Sequence, residues 1–365
     1  MSLHSDPYHE DDLVSLDRQY LVPLLEALKH AATVADLRAG ITEVQTWIAE
    51  QPQTPALDVA APDDFICSRS YLLAECAQIL GARTLDRGLH YLERLLKSLT
   101  EIATSPINDL NLNRWKEYED ILTDSLWMID RRDSSGVHTA GYWGNFIPQI
   151  PYQMLRRYTK RGDWVLDTFA GSGTTLIEGQ RLGRHTLGIE LQPRMVEYAK
   201  QLVAAEPNKH QVVVDVVQGD SSTLNYADLL AAYGQTTVQL VMMHPPYYDI
   251  IKFSEDERDL SNAASIERFL ALMGQVIEQA AQVLEQGRYL VIVIGDKYAK
   301  GDWIPLGFQT MNEALKRGFS LKSIIVKNFE ATSGKRQQKE LWRYRALVGG
   351  FYIFKHEYIF LLRKQ

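Results

Sequence analysis

The sequence predicts a doubly wound α/β domain with a seven-stranded sheet and an antiparallel last strand, preceded by an α-helical domain. Three observations predict it. Apolar residues recur at three- and four-residue spacing through the first 108 or so positions. After about residue 112, short β-branched runs alternate with helical segments. The last two such runs are joined without a long helix.

Residues 11–50 and 68–104 carry the helical spacing, as in LVPLLEALKHAATVADLRAGI, and the Pro-rich stretch QPQTPALDVAAPDD separates them as a loop. TSPINDLNLN (104–113) breaks the pattern, so a helical domain is expected over 1–108 and a second domain over 112–365. The strands of the second are WVLDTF (164–169), HTLGIEL (185–191), QVVVDVVQG (211–219), VQLVMMH (238–244) and RYLVIVIG (288–295). Helices are expected at 174–182, 193–204 and 265–286, which makes the strands parallel and covered on both faces. SLKSIIVKNF (320–329) and FKHEYIFLLRK (354–364) complete the sheet antiparallel to one another, and the basic, aromatic insertion 330–350 links them.

Composition limits the functional classes. The net charge of −7 is uneven: residues 1–110 hold 17 Asp/Glu against 8 Lys/Arg, so the remaining 255 are slightly basic and admit a nucleic-acid partner. The acidic N-terminal helices point instead to self-association or a protein partner. No apolar run reaches the ~18 residues of a membrane span. MSLHSDPYHEDD lacks the basic and apolar regions of a secretion signal, and Cys67 and Cys76 offer neither a disulfide framework nor zinc spacing. A cytoplasmic protein without a metal site is expected.

The chemistry concentrates at strand ends. The first strand runs into Asp167, Thr168, Phe169, Ala170, Gly171, Ser172, Gly173, Thr174 and Thr175, where glycines admit a ligand to the backbone and a helix start offers free N–H groups. The second strand ends in Glu190, about 20 residues on, placed for ribose hydroxyls. The third ends near Asp220, an acceptor for an adenine amino group. Three polar groups at one sheet edge imply a nucleoside cofactor. Leu176 replaces the glycine a dinucleotide loop requires, and no P-loop is present. The fourth strand stops on His244-Pro245-Pro246-Tyr247-Tyr248, because proline has no N–H for a sheet ladder.

DTFAGSGTT followed by HPPY resembles the S-adenosylmethionine-dependent DNA amino-methyltransferases, whose motifs read D-P-F-x-G-S-G-T-T and Asp, Asn or Ser followed by P-P-Y. GNFIPQIPYQMLRRYTKRGDWVLD (144–167) is similar to the segment before the family's first strand, and KHEYIFLLRK (355–364) to its closing strand, so the likeness covers about 115–364. The cofactor motif precedes the catalytic one, the reverse of many relatives. The resemblance implies the Rossmann-like class I methyltransferase fold, S-adenosylmethionine as cofactor and double-stranded DNA as partner. It assigns the cofactor to Asp167, Phe169, Gly171, Ser172, Gly173, Thr174, Thr175, Glu190 and Asp220, with Phe146 and Pro148, and catalysis to His244, Pro245, Pro246 and Tyr247.

Methyl transfer to an exocyclic amine needs its lone pair freed from conjugation, which acceptors for its N–H groups promote, here the Pro245 carbonyl and the side chain at 244, while Tyr247 is expected to stack on the flipped base. His244 departs from the family's Asp, Asn or Ser. A neutral imidazole accepts and an imidazolium does not, so activity should fall below the histidine pKa, with a limb expected between about pH 5 and 8. The catalytic region has no cysteine, which argues against C5-cytosine methylation. Tyr248 is a candidate second ring, and Asp249, Lys252 and Glu255 belong to a polar loop able to close. Lys335, Arg336, Lys339, Arg343 and Arg345, interleaved with Trp342 and Tyr344, form a candidate DNA-contact surface. N4 of cytosine is slightly favoured over N6 of adenine. An RNA or protein-glutamine amino-methyltransferase, or an inactive cofactor- and DNA-binding module, stands as the alternative.

Overall fold

The structure, a computed structural model, describes residues 12–53, 64–139, 144–299, 301–328 and 339–365, the side chains of Asp64 and Lys339 excepted. The chain divides into two compact units. One runs to Pro106 and resumes over Leu110–Ile121; the other comprises Ile107–Asp109 and Leu122–Gln365. In place of one boundary at 108–112, the two units therefore interleave.

The first unit contains β1 (Leu13–Asp17), α1 (Arg18–Ala27), α2 (Val34–Glu50), β2 (Asp64–Ser68), α3 (Arg69–Leu80) and α4 (Leu85–Thr100). The expected helices are present, and a strand pair is added that a purely helical reading omits: β1 and β2 run antiparallel, Leu13 opposite Ser68 and Asp17 opposite Asp64. Each helix starts where its sequence satisfies the free N–H groups. The Asp17 carboxylate accepts from Gln19 and Tyr20, and Thr33 with Asp36 makes a reciprocal capping box on α2. Leu37, Ile41, Val44 and Ile48 of α2 form one buried stripe that packs with Leu72, Cys76 and Ile79 of α3 and Leu92, Leu95 and Leu99 of α4.

The second unit is the α/β domain. It begins with β3 (Leu126–Trp127), α5 (Gln149–Tyr158), β4 (Trp164–Asp167), α6 (Thr174–Leu182), β5 (His185–Glu190), α7 (Pro193–Ala205), β6 (Val214–Gln218) and α8 (Tyr226–Ala231). It continues through β7 (Val238–Met243), α9 (Ile266–Val283), β8 (Leu284–Ile294), the hairpin β9 (Lys297–Ala299) with β10 (Asp302–Ile304), α10 (Leu306–Leu315), β11 (Phe319–Asn328), α11 (Lys339–Gly349) and β12 (His356–Lys364). The sheet order is β3-β11-β12-β8-β7-β4-β5-β6. It has eight strands, not seven. The extra one, β3, is two residues paired to Val326 and Lys327, too short for any periodicity to reveal.

From β8 to β6 all neighbours are parallel, while β12 is antiparallel to both β8 and β11. Leu290–Ile294 and Ile359–Leu362 are buried continuously, as strands covered on both faces must be. Phe269, Met273, Val276, Ile277 and Ala280 of α9 join these strands in one apolar core, where each large side chain contributes about 1.5–3 kcal/mol. α9 ends at Val283 rather than 286, because β8 begins early and its register against β7 shifts between Val238 and Leu240.

The topology locates the site. From β4 the chain builds outward through β5 and β6, then returns to lay β7 on β4's other side. β4 and β7 are thus parallel neighbours whose connections leave in opposite directions, the crevice at which open α/β sheets receive ligands. Thr168 N–H donates to the Met242 carbonyl at 3.1 Å, so the loops after both strands open at one edge.

Candidate active site

A cavity of about 910 Å³ opens at this edge. Phe169, Gly171, Glu190 and Asp220 line one side; His244, Pro245, Pro246 and Tyr247 line the other. The glycine loop reaches it because Gly171 and Gly173 hold φ of +52° and +85°, conformations that a side chain would strain. Asn145, also on the wall, clamps the loop: its Nδ2 donates to Ser172 Oγ at 2.7 Å and its Oδ1 accepts from Thr174 Oγ1 at 2.6 Å. Phe146 consequently stands between the two halves, its ring 4.7 Å from that of His244, edge to face.

Glu190 is oriented by backbone alone. Oε2 accepts from Gly171 N–H at 3.0 Å and Oε1 from Gln192 N–H at 2.8 Å, and burial raises its pKa against these bonds. Each oxygen keeps lone-pair capacity for a ligand hydroxyl. Asp220 accepts from Ser222 through Oδ1 only, and among the described residues Oδ2 has no partner. A fixed carboxylate suited to a diol, a second carboxylate with an unoccupied oxygen and apolar walls form a set of acceptors that fits a nucleoside.

Ser172, Gly173, Thr174 and Thr175 do not line the cavity. They are the loop and first turn of α6 beneath it, and Thr174 and Thr175 are buried. Pro148 is the N-cap of α5, likewise off the wall. Asp167 is fully buried, holds Phe169 N–H at 3.0 Å and shapes the loop from within. Burial pushes its carboxyl up to about 6. Native protein therefore holds this proton more tightly than unfolded chain, and stability falls as pH rises through about 4 to 6. Between pH 4 and pH 7, wild type is expected to lose about 2 kcal/mol relative to Asp167→Asn. Urea unfolding at both pH values measures the difference, and a constant difference would refute it.

On the opposite wall, β7 ends just before His244, and Pro245 has no N–H to extend the ladder. His244 Nε2 lies 3.1 Å from Tyr247 Oη, and Tyr247 O–H donates to Glu357 Oε2 at 2.7 Å. Glu357 Oε1 pairs with Lys327 Nζ at 3.0 Å, both side chains buried. The Tyr247 ring rests against Gly295, where an added Cβ would come within 3.1 Å of it. Desolvation lowers the His244 pKa to about 4 and raises that of Tyr247.

Tyr248 does not join the cavity. Its φ is +53°, a backbone conformation costing on the order of 1–3 kcal/mol in a non-glycine residue, and its ring faces Phe269 at 6.0 Å with Lys297 Nζ 4.5 Å above it. It packs on the core instead of offering a second stacking ring. In the loop that follows, Asp249 pairs with Lys297 and Lys252 with Glu255, while the apolar Ile250, Ile251 and Phe253 reach the cavity. Lys335 and Arg336 lie outside the described residues. Arg343 and Arg345 are exposed on α11 and do not line the cavity, but Arg345 covers Trp342, which does. His356, read from sequence as structural, is also on the wall, 3.0 Å from Tyr358 Oη.

Asn145, Gly295, Lys327 and Glu357 are wall residues that sequence reasoning missed. A lysine near the end of one strand and a glutamate near the start of the next were the available signal. Their register as opposite partners on β11 and β12 was not readable.

A family model described as DNA methylase matches residues 108–201 and 238–365, which include both halves of the cavity. The type II methyltransferase M.MthZI of Methanothermobacter thermautotrophicus is 27% identical over 156 residues, 40% of this chain and 42% of that protein. The type II methyltransferase M2.DpnII of Streptococcus pneumoniae is 34% identical over 100 residues, 26% of this chain and 34% of that one. The chain thus spans less than half the length of these curated relatives. Among solved structures, TrmN from Thermus thermophilus aligns with a TM-score of 0.39 at 17% identity, covering 60% of this chain and 49% of that one. Among the described residues no helix is long and apolar enough to cross a membrane.

Proposed function

This chain belongs to the DNA methylase family, and on that premise we propose that it methylates the exocyclic amine of a base flipped from duplex DNA. One observation carries the reading: His244 and Pro245, which can offer acceptors to an amine, line the same cavity as the nucleoside-type acceptors Glu190 and Asp220. S-adenosylmethionine, held by Glu190, Asp220, Gly171 and Phe169, supplies an electrophilic methyl group when bound. The chain's own residues do the rest. His244 and the Pro245 carbonyl accept the amine's N–H groups, which draws the nitrogen lone pair out of conjugation, and Tyr247 and Phe146 present aromatic surface to the base. The prolines keep these groups rigid. Of the two possible amines we favour N4 of cytosine, because residue 244 is a neutral acceptor instead of a carboxylate. Arg343 and Arg345 on α11 provide phosphate contacts beside the cavity mouth. The acidic N-terminal unit serves protein contacts or self-association, and the protein works in the cytoplasm within a restriction–modification or orphan methylation system.

Incubating the purified chain with plasmid and methyl-labelled S-adenosylmethionine, followed by modification-sensitive sequencing, tests this. Label at cytosine N4 in a defined sequence is expected. Transfer only to RNA or to protein glutamine would move the substrate, and cofactor binding without any transfer would remove the enzymatic reading.

The pH profile is informative as well. The acceptor is present only above the His244 pKa, and desolvation has moved that pKa to about 4. The limb expected from sequence between pH 5 and 8 therefore leaves that window. Turnover should be flat from about pH 5 to 8 and fall only near pH 4. An acid limb centred at the ordinary histidine value of about 6.5 would contradict the burial argument.

A further inference from the structure

We infer that Glu357, held by Lys327, is a positioning residue that acts through Tyr247 to fix the tautomer of His244, leaving Nδ1 as the bare acceptor for the target amine. The inference deepens the proposed reaction and rests on it for the role of Nδ1. The tautomer itself follows from hydrogen-bond direction alone.

Lys327 can only donate, and its ammonium lies 3.0 Å from Glu357 Oε1. Glu357 is therefore held as an acceptor, and its second oxygen takes the single O–H of Tyr247 at 2.7 Å. With that proton committed, the Tyr247 oxygen can meet His244 Nε2 at 3.1 Å only by accepting. Nε2 must carry the hydrogen, and the neutral ring has one proton, so Nδ1 is left as a lone pair. Among the described residues Nδ1 has no hydrogen-bond partner, and His244 lines the cavity. The groups facing the ring are Tyr247, the apolar Phe146 and, beyond Tyr247, the Glu357–Lys327 pair. An Asp, Asn or Ser side chain presents its acceptor oxygen without such help. Imidazole does so at one nitrogen only if the proton is kept on the other, and the relay provides that.

Glu357→Gln tests the relay with almost no change of shape. The glutamine carbonyl must turn to Lys327, which cannot accept, so the amide NH2 faces Tyr247. The tyrosine oxygen then accepts from it and gives its own O–H to Nε2. The proton moves to Nδ1, which becomes a donor and clashes with the amine's N–H. Full-length chain with 15N-labelled imidazoles, with His244 assigned through His244→Asn, should show the Nε2–H tautomer at pH 7 in wild type and Nδ1–H in Glu357→Gln. In plasmid methylation the variant should lose kcat by about 100-fold or more, with KM for S-adenosylmethionine unchanged. A wild-type Nδ1–H tautomer, or a Glu357→Gln chain that keeps Nε2–H and full kcat, overturns the inference.

If Glu357→Gln does not fold, Tyr247→Phe supplies the second reading. Loss of the hydroxyl should give mixed tautomers, and an unaltered Nε2–H form would argue against the relay. The tautomer is read without turnover. A chain that shows the predicted switch yet methylates no DNA retains the relay and loses only the proposed substrate.

Discussion

His244→Ala should lower kcat for DNA methylation by about 100- to 1,000-fold, the usual cost of removing one preorganised polar partner from a desolvated site. The affinity for S-adenosylmethionine should remain unchanged, because Glu190 ends β5 and Asp220 follows β6, and among the described residues neither hydrogen-bonds His244. His244→Asn should recover most of the rate, since its amide oxygen presents an acceptor at the same strand end without a tautomer to control. Stopped assays with labelled cofactor, paired with calorimetric titration of the cofactor, separate rate from binding. If the alanine variant keeps wild-type kcat, the Pro245 carbonyl is sufficient and His244 is only a wall residue packed edge-on to Phe146.

The second large effect concerns the other half of the cavity. Glu190→Ala removes the carboxylate that receives Gly171 N–H at 3.0 Å and Gln192 N–H at 2.8 Å. It also removes the proposed acceptor for ribose hydroxyls. A hydrogen bond to a charged group is worth about 1.5–3 kcal/mol, so cofactor affinity should fall by about 10- to 150-fold. The loop loses its tether in the same change, so free protein should unfold at a lower temperature. An unchanged dissociation constant would mean that the cofactor is bound elsewhere, and the assignment of this edge would fail. Glu190→Gln keeps one acceptor oxygen and should lie between the two.

Read together, the two variants divide the cavity into halves that sequence reasoning could name separately but not join. Glu190 and Gly171 were legible because each follows an apolar run, and the end of a parallel strand is where a ligand meets backbone. Gly173 was legible because a helix starts immediately after it, and the prolines 245 and 246 because they end a strand by chemistry. By contrast, Pro148 and Thr175 carry a family motif yet lie off the wall. The motif records what the loop needs in order to fold as well as what the ligand touches. Tyr248 shows the limit of adjacency: one residue beyond Tyr247, a positive φ turns its ring to α9. β1 and β2 escaped notice because five-residue strands pair across about fifty residues, and β3 because two residues have no period.

The sequence by itself determined the α/β class, the glycine loop after β4, the proline-stopped end of β7 and the unusual histidine, since each is written in contiguous residues whose backbone preferences are local. Only the tertiary structure decided which nitrogen of that histidine is free to accept. His244 meets Tyr247 three residues away, but Tyr247 meets Glu357 across 110 residues, and Glu357 meets Lys327 only through the antiparallel register of β11 and β12. Hydrogen-bond direction is a property of the closed network. A proton on Nε2 is imposed by a lysine 83 positions further along the chain, which no local pattern can express.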